Sequence, residues 1–187
     1  MSLRWMIVIF LVWGAGFFSM AQKAVEQFEL VQGDLVWRQI YNYPGKSDSL
    51  RAAVVQMLKS KFYTFNVIRN EMGYNGEIKH YKIDCKLYGR TYLNTPRLYW
   101  EGEWTGKFIV QITDHAYQVT VYALYYESKT NSSDYFKTEK EVKGRYIDVV
   151  TRKDKSIVRK VELSNMALMS QSLRDAFKLS SVTLIQN

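Results

Sequence analysis

Half-cystines, prolines and imidazoles are scarce in this chain of 187 residues. It has one Cys, two Pro and two His. A single thiol rules out an internal disulfide framework and any zinc site built on several thiolates. Two histidines, His80 and His115, leave little for metal binding or nucleophile–base catalysis, and no His-x-x-x-His or Gly-x-Ser-x-Gly motif occurs. Ten Gly and no low-complexity tract or solenoid-length repeat argue against collagen-like, disordered and repeat architectures. Acids are also in the minority, 18 against 26 Lys and Arg, for a net charge of +8. What the chain does have is aromatic mass: 5 Trp, 14 Tyr and 9 Phe, a composition suited to a packed sheet.

The amino terminus has the layout of a secretory signal peptide. Arg4 precedes an apolar run from Trp5 to Phe18, and Ser19-Met20-Ala21 supplies small residues at the −3 and −1 positions before Gln22. The run is shorter than the roughly 20 residues a bilayer-spanning helix needs. Residues 1–21 are therefore read as a leader cleaved near Ala21/Gln22, and 22–187 as a single exported domain, secreted or periplasmic, without a transmembrane helix. Loss of Arg4 leaves the mature chain at +7.

Periodicity organises the rest. Leu30 to Tyr41 reads as one strand ending at Pro44-Gly45. Ser47 is positioned to cap a helix whose apolar face is Leu50, Ala53, Val54, Met57 and Leu58. Phe62 to Arg69 reads as a strand, Met72-Gly73-Tyr74-Asn75-Gly76 as its turn, and Tyr81, Ile83, Cys85 and Leu87 as the inward phase of the returning strand. Phe108, Val110 and Ile112, then Tyr117, Val119, Val121, Ala123 and Tyr125, form a second hairpin around Asp114-His115-Ala116. Tyr146–Val150 reads as an edge strand. A final helix over about 164–179 is marked by Met166, Met169, Leu173, Ala176 and Phe177, with Ser164 or Asn165 as its cap. The order predicts an α+β fold, an antiparallel sheet with two helices packed on one face.

Val36-Trp37-Arg38-Gln39-Ile40-Tyr41, the Lys46-Ser47 helix entry, Gly106-Lys107-Phe108-Ile109-Val110-Gln111-Ile112, Tyr117-Gln118-Val119 and Leu124-Tyr125-Tyr126-Glu127 resemble an uncharacterised family of secreted Bacteroidetes proteins. The resemblance covers about residues 30–128. It implies a TATA-binding-protein-like fold, a curved antiparallel sheet with helices on one side, and no known activity. The family's second hairpin commonly turns through Lys-Asp-Gly-Arg-Tyr-Arg. Here Thr113-Asp114-His115-Ala116-Tyr117-Gln118 keeps only the Asp and Tyr, so no role passes from the family's arginines.

Catalytic groups are poorly arranged. Cys85 and His80 are five residues apart, on opposite faces of a strand, and Glu101 and Glu103 share one face instead of flanking a substrate bond. Neither a catalytic residue, a metal site nor a cofactor is expected. Two features suggest contacts instead. Tyr99, Trp100 and Trp104, near Tyr92, either fill the core, as aromatics usually do, or form an exposed platform for a sugar or a partner. Residues 137–160 hold nine Lys and Arg against four acids, and Lys143, Arg145, Arg152, Lys153 and Lys155 either face solvent or contact an anionic surface. Basic charge with aromatics also suits single-stranded nucleic acid. Export argues against that partner. The leading expectation is an exported, non-enzymatic binding module for an envelope protein or anionic glycan. The alternatives are a glycan-binding module using exposed aromatics and, third, a hydrolase.

Overall fold

The computed structural model describes residues 26–61, 68–70, 73–131, 139–153 and 158–179. The proposed leader and Lys155 lie outside them.

The first predicted strand is a hairpin. Strand β1 (Phe28–Val31) pairs antiparallel with β2 (Asp34–Asn42), with Val31 opposite Asp34. Gln32 and Gly33 between them both have positive φ, 50° and 78°. A two-residue loop of that hand matches the twist of the flanking strands. The missed signal was Gln32-Gly33 inside an otherwise continuous β-like run.

Helix α1 (Ser47–Lys61) buries Leu50, Val54, Met57 and Leu58, as the spacing predicts. Ser47 is its first residue instead of a side-chain cap. Asp48 in the first turn and Lys59 and Lys61 in the last complement the helix dipole. Strand β3 (Ile68–Asn70) then pairs with β4 (Gly73–Tyr81). Gly73 to Gly76 therefore belong to the strand and not to the turn. Gly73 lies so close to β5 that a Cβ there would come within 1.8 Å of the Val110 carbonyl oxygen.

The chain leaves the sheet at Tyr81. Residues 82–96 form tight turns, so the expected alternation through Leu87 does not hold: Ile83 and Cys85 are buried, but Leu87 is 70% exposed. Cys85 is inward because Arg90 N–H donates to its carbonyl and its thiol donates to Tyr99 O at 3.2 Å, not because of strand register.

A short helix, α2 (Arg97–Glu101), leads into β5 (Glu103–Ile112) and the long β6 (Ala116–Asn131). The sheet order is β1-β2-β6-β5-β4-β3. The final strand, β7 (Glu139–Arg145), pairs with the later half of β6, beyond the part that pairs with β2. Tyr146–Val150 is a helix, α3, rather than an edge strand, and it buries Tyr146, Ile147 and Val150.

Helix α4 (Leu163–Phe177) follows a 3-10 turn, Lys160–Glu162, so Glu162 precedes it and neither Ser164 nor Asn165 caps it. It packs on the inward face of the sheet, where Phe177 meets Trp37 and Phe108. Its buried polar groups are matched: Trp37 Nε1 donates to Ser170 Oγ at 3.0 Å, Tyr41 OH to Arg174 O at 2.9 Å, and Tyr117 OH to Phe177 O at 2.8 Å. The segment after β4 covers another side of the helix through Tyr81 with Ser172, Tyr88 with Asp175 and Arg90 with Ser164. The fold is α+β, with α1 and α4 the two long helices.

Candidate functional site

With the long helices on one side, the other face of the sheet is open. On β5 the inward residues Trp104, Phe108 and Val110 alternate with the half-exposed Thr105 and Ile109 and the exposed Lys107. Ile40 on β2 is 58% exposed, an unusual state for an isoleucine in a central stretch of strand.

Two bulges meet on this face. On β4, Ile78 pairs with Gly106 and Tyr81 with Trp104, so Lys79 and His80 together oppose Thr105. On β6, Tyr122 pairs with Lys107 and Tyr125 with Thr105, so Ala123 and Leu124 together oppose Gly106. His80 and Ala123 take the left-handed backbone conformation, with φ of 53° and 50°. Such conformations cost roughly 1–3 kcal/mol for a non-glycine residue, and bulges re-aim side chains next to sites. The β6 bulge reverses the side-chain phase. Leu124 turns inward, and Tyr125, which strict alternation would bury, is 45% exposed. Gly106 permits the reversal, since a Cβ there would lie 2.9 Å from Leu124 Cδ2.

The bulges border a cleft of about 320 Å³ lined by Glu77, Lys79, His80, Thr105, Lys107, Ala123 and Tyr125. Its charges are partly paired. Lys79 Nζ lies 3.2 Å from Glu77; His80 Nδ1 and Lys82 Nζ lie 2.7 and 3.0 Å from the two oxygens of Glu103. Hydrogen bonds from His80 and then Lys82 hold the Glu103 carboxyl below the usual carboxylate range. Lys79, Lys82 and Lys107 against Glu77 and Glu103 leave this region positive, and Tyr125 adds a flat ring and a hydroxyl. This arrangement suits an acidic, partly apolar ligand. The isolated Gly106 within an alternating strand was the one sequence signal for it.

The aromatic platform expected from sequence is corrected. Tyr99 and Trp104 are fully buried and pack with Tyr146, at ring centroid distances of 6.3 and 5.2 Å. They are core. Trp100 is half-buried, with exposed Tyr92 stacked on it at 4.0 Å. Nor do the five basic candidates form one surface. Lys143 on β7 pairs with Glu127 at 3.0 Å, and Arg145 pairs with Asp148 at 3.3 Å. Arg152 and Lys153 follow α3 and are exposed, and Lys155 lies outside the described residues.

Groups for chemistry are dispersed. Glu101 ends α2 and pairs with Arg97, whereas Glu103 opens β5, so the two carboxylates do not share a strand face. Burial, with Asp84 alongside, pushes the Cys85 thiol up, which disfavours the nucleophilic thiolate. Among the described residues no group of three His, Cys, Asp or Glu is placed to hold a metal ion.

No family model and no curated protein matches the chain. Two solved structures are similar to it. One is a TBP-like protein from Parabacteroides distasonis, at 13% identity and a TM-score of 0.47 over 80% of this chain and 94% of that one. The other is a DUF4468 family protein from Bacteroides ovatus, at 13% identity and a TM-score of 0.46 over 86% of this chain and 96% of that one.

Proposed function

We propose that this chain is an exported, non-enzymatic binding module whose open sheet face receives an anionic component of the cell envelope. The leader layout of residues 1–21 supports export, with the mature chain beginning near Gln22. The observation that carries the binding reading is the pair of bulges at His80 and Ala123, which shapes a positive, tyrosine-bordered cleft on the uncovered side of the sheet. Paying for two left-handed non-glycine residues in adjacent ladders is unnecessary for packing alone. An acidic glycan fits the mixture of Lys79, Lys107, the Thr105 hydroxyl and the Tyr125 ring.

The reading that used Trp100 and Trp104 together as a sugar platform loses its basis, because Trp104 is buried. The hydrolase reading loses its converging carboxylates for the reason given above.

Calorimetric titration of residues 22–187 with an oligogalacturonate and with its neutral methyl ester tests the proposal. Binding of the acidic form only, lost in Lys107→Glu and weakened in Tyr125→Ala, is the expected result. Equal affinity for both forms, no binding of either, or turnover of the glycan contradicts it. Binding unchanged in Lys107→Glu places the site elsewhere.

A further inference from the structure

A second surface, away from any role of the cleft residues, combines exposed apolar side chains with cations. Leu93 is 100% exposed, Val161 76%, Leu87 70% and Tyr92 63%. Scattered exposed apolar residues need no explanation, but these are gathered. Arg90 donates to Ser164 Oγ at 2.8 Å and to Ser164 O at 2.7 Å. Leu87, Tyr92 and Leu93 lie within three residues of Arg90, and Val161 and Leu163 within three of Ser164. The two bonds thus bring two apolar clusters to one end of the fold. Trp100 lies beneath Tyr92, giving the patch an aromatic base.

Cations adjoin this patch. Lys86 and Lys160 are exposed neighbours of Leu87 and Val161. Thr151 bridges to Val158 and Arg159 N–H donates to Val150 O, which ties the exposed Arg152 and Lys153 to the segment carrying Lys160. The acids nearby are engaged: Glu162 with Arg159 and Asn165, Glu101 with Arg97, and Asp148 with Arg145. Asp84 accepts from the Leu87 amide.

We infer that this end of the molecule docks on an anionic lipid surface. Leu87, Tyr92, Leu93 and Val161 would enter the interfacial region while Lys86, Arg152, Lys153 and Lys160 meet the headgroups. Aromatic and aliphatic side chains ringed by Lys and Arg are the equipment of proteins that lie on a bilayer. A water-facing protein partner does not require a leucine with no protein neighbour at all, whereas insertion into a lipid interface does. Attachment is peripheral, since among the described residues no helix is long and apolar enough to cross a membrane. The inference does not rest on the cleft.

Sedimentation of residues 22–187 with vesicles of phosphatidylcholine alone or mixed with phosphatidylglycerol tests it, with Trp fluorescence as a second readout. Binding to the anionic vesicles only, weakened by salt, is expected. Leu93→Asp should lower it at least about tenfold, the scale of one leucine withheld from an apolar phase. Because Leu93 is fully exposed, that variant should fold, which its circular dichroism checks. Lys107→Glu should bind vesicles normally, which separates this surface from the cleft. No binding to anionic vesicles, unchanged binding by Leu93→Asp, or self-association abolished by that substitution in light scattering would overturn the inference.

Discussion

Replacing Tyr117 by Phe removes one oxygen atom from the most constrained junction of the fold. Tyr117 is fully buried on β6, with its ring stacked on Tyr41 at 4.7 Å. Its hydroxyl donates to Phe177 O at 2.8 Å and accepts from Leu179 N–H at 3.2 Å, so it holds the end of α4 to the sheet. Phe preserves the ring and the stacking, and no cavity term enters. Losing the bond to Phe177 O costs about 1 kcal/mol, and stranding the buried Leu179 amide costs about 1–3 kcal/mol more. The expected loss is therefore about 2–4 kcal/mol, a large share of the roughly 5–15 kcal/mol that a domain has. In a chain of this size it lowers Tm by roughly 5–15 °C. Urea unfolding followed by Trp fluorescence and far-UV dichroism measures it. Tyr41→Phe is the internal comparison: its hydroxyl makes one bond, to Arg174 O, and its loss should cost only about 1 kcal/mol. A Tyr117→Phe loss below about 0.5 kcal/mol, or one no larger than that of Tyr41→Phe, would refute the claim that this hydroxyl anchors the helix end.

Alkaline pH should unfold the protein early. Burial pushes the Tyr81 phenol up to about 12 and holds those of Tyr41, Tyr99, Tyr117 and Tyr146 higher than their ordinary value of 10.0. Folded groups that keep their protons longer than the unfolded chain stabilise the fold fully below pH 10, and that contribution drains away as pH rises toward 12 and beyond. Urea midpoints should thus fall between pH 9 and 11.5, together with delayed phenolate absorbance at 295 nm; equal midpoints would contradict the burial of these hydroxyls. Cys85 should react with a thiol reagent only on unfolding, and rapid native labelling would place it outside the core. Gly73→Ala should destabilise by about 1–3 kcal/mol in thermal melts, since the new methyl meets the Val110 carbonyl; an unchanged Tm would show that β4 and β5 can separate there. Mass analysis of exported protein should show Gln22 or a close neighbour as the new amino terminus, and retained Met1 would contradict cleavage.

Much of this architecture was legible because it rests on short-range periodicity. The face of α1, the inward phase of β5 and the first half of β6, and the buried side of α4 all repeat at helical or strand spacing, and burial against a single core enforces that repeat. The misassigned elements share a different cause. Leu30–Tyr41 was read as one strand because Gln32 is not a residue that advertises positive φ. Tyr146–Val150 has the composition of a strand, yet α3 forms there because its three apolar side chains are drawn into the core and Tyr146 packs against Phe28 and Trp104. Propensity yields to tertiary packing in so short a segment.

The candidate surfaces divide in the same way. From sequence alone came the α+β class, the resemblance to a TATA-binding-protein-like fold, the dearth of catalytic groups and the existence of aromatic and basic stretches. Which of those side chains meet solvent was decided by long-range pairing. Two bulges set in adjacent ladders turned Tyr125 outward and sank Tyr99 and Trp104, because inserting one residue reverses the face of everything that follows. Likewise, Leu93 and Val161 are separated by 68 positions and become neighbours only through Arg90 and Ser164. A sequence records which groups a chain possesses; the sheet and the helix packed on it determine which of them remain available.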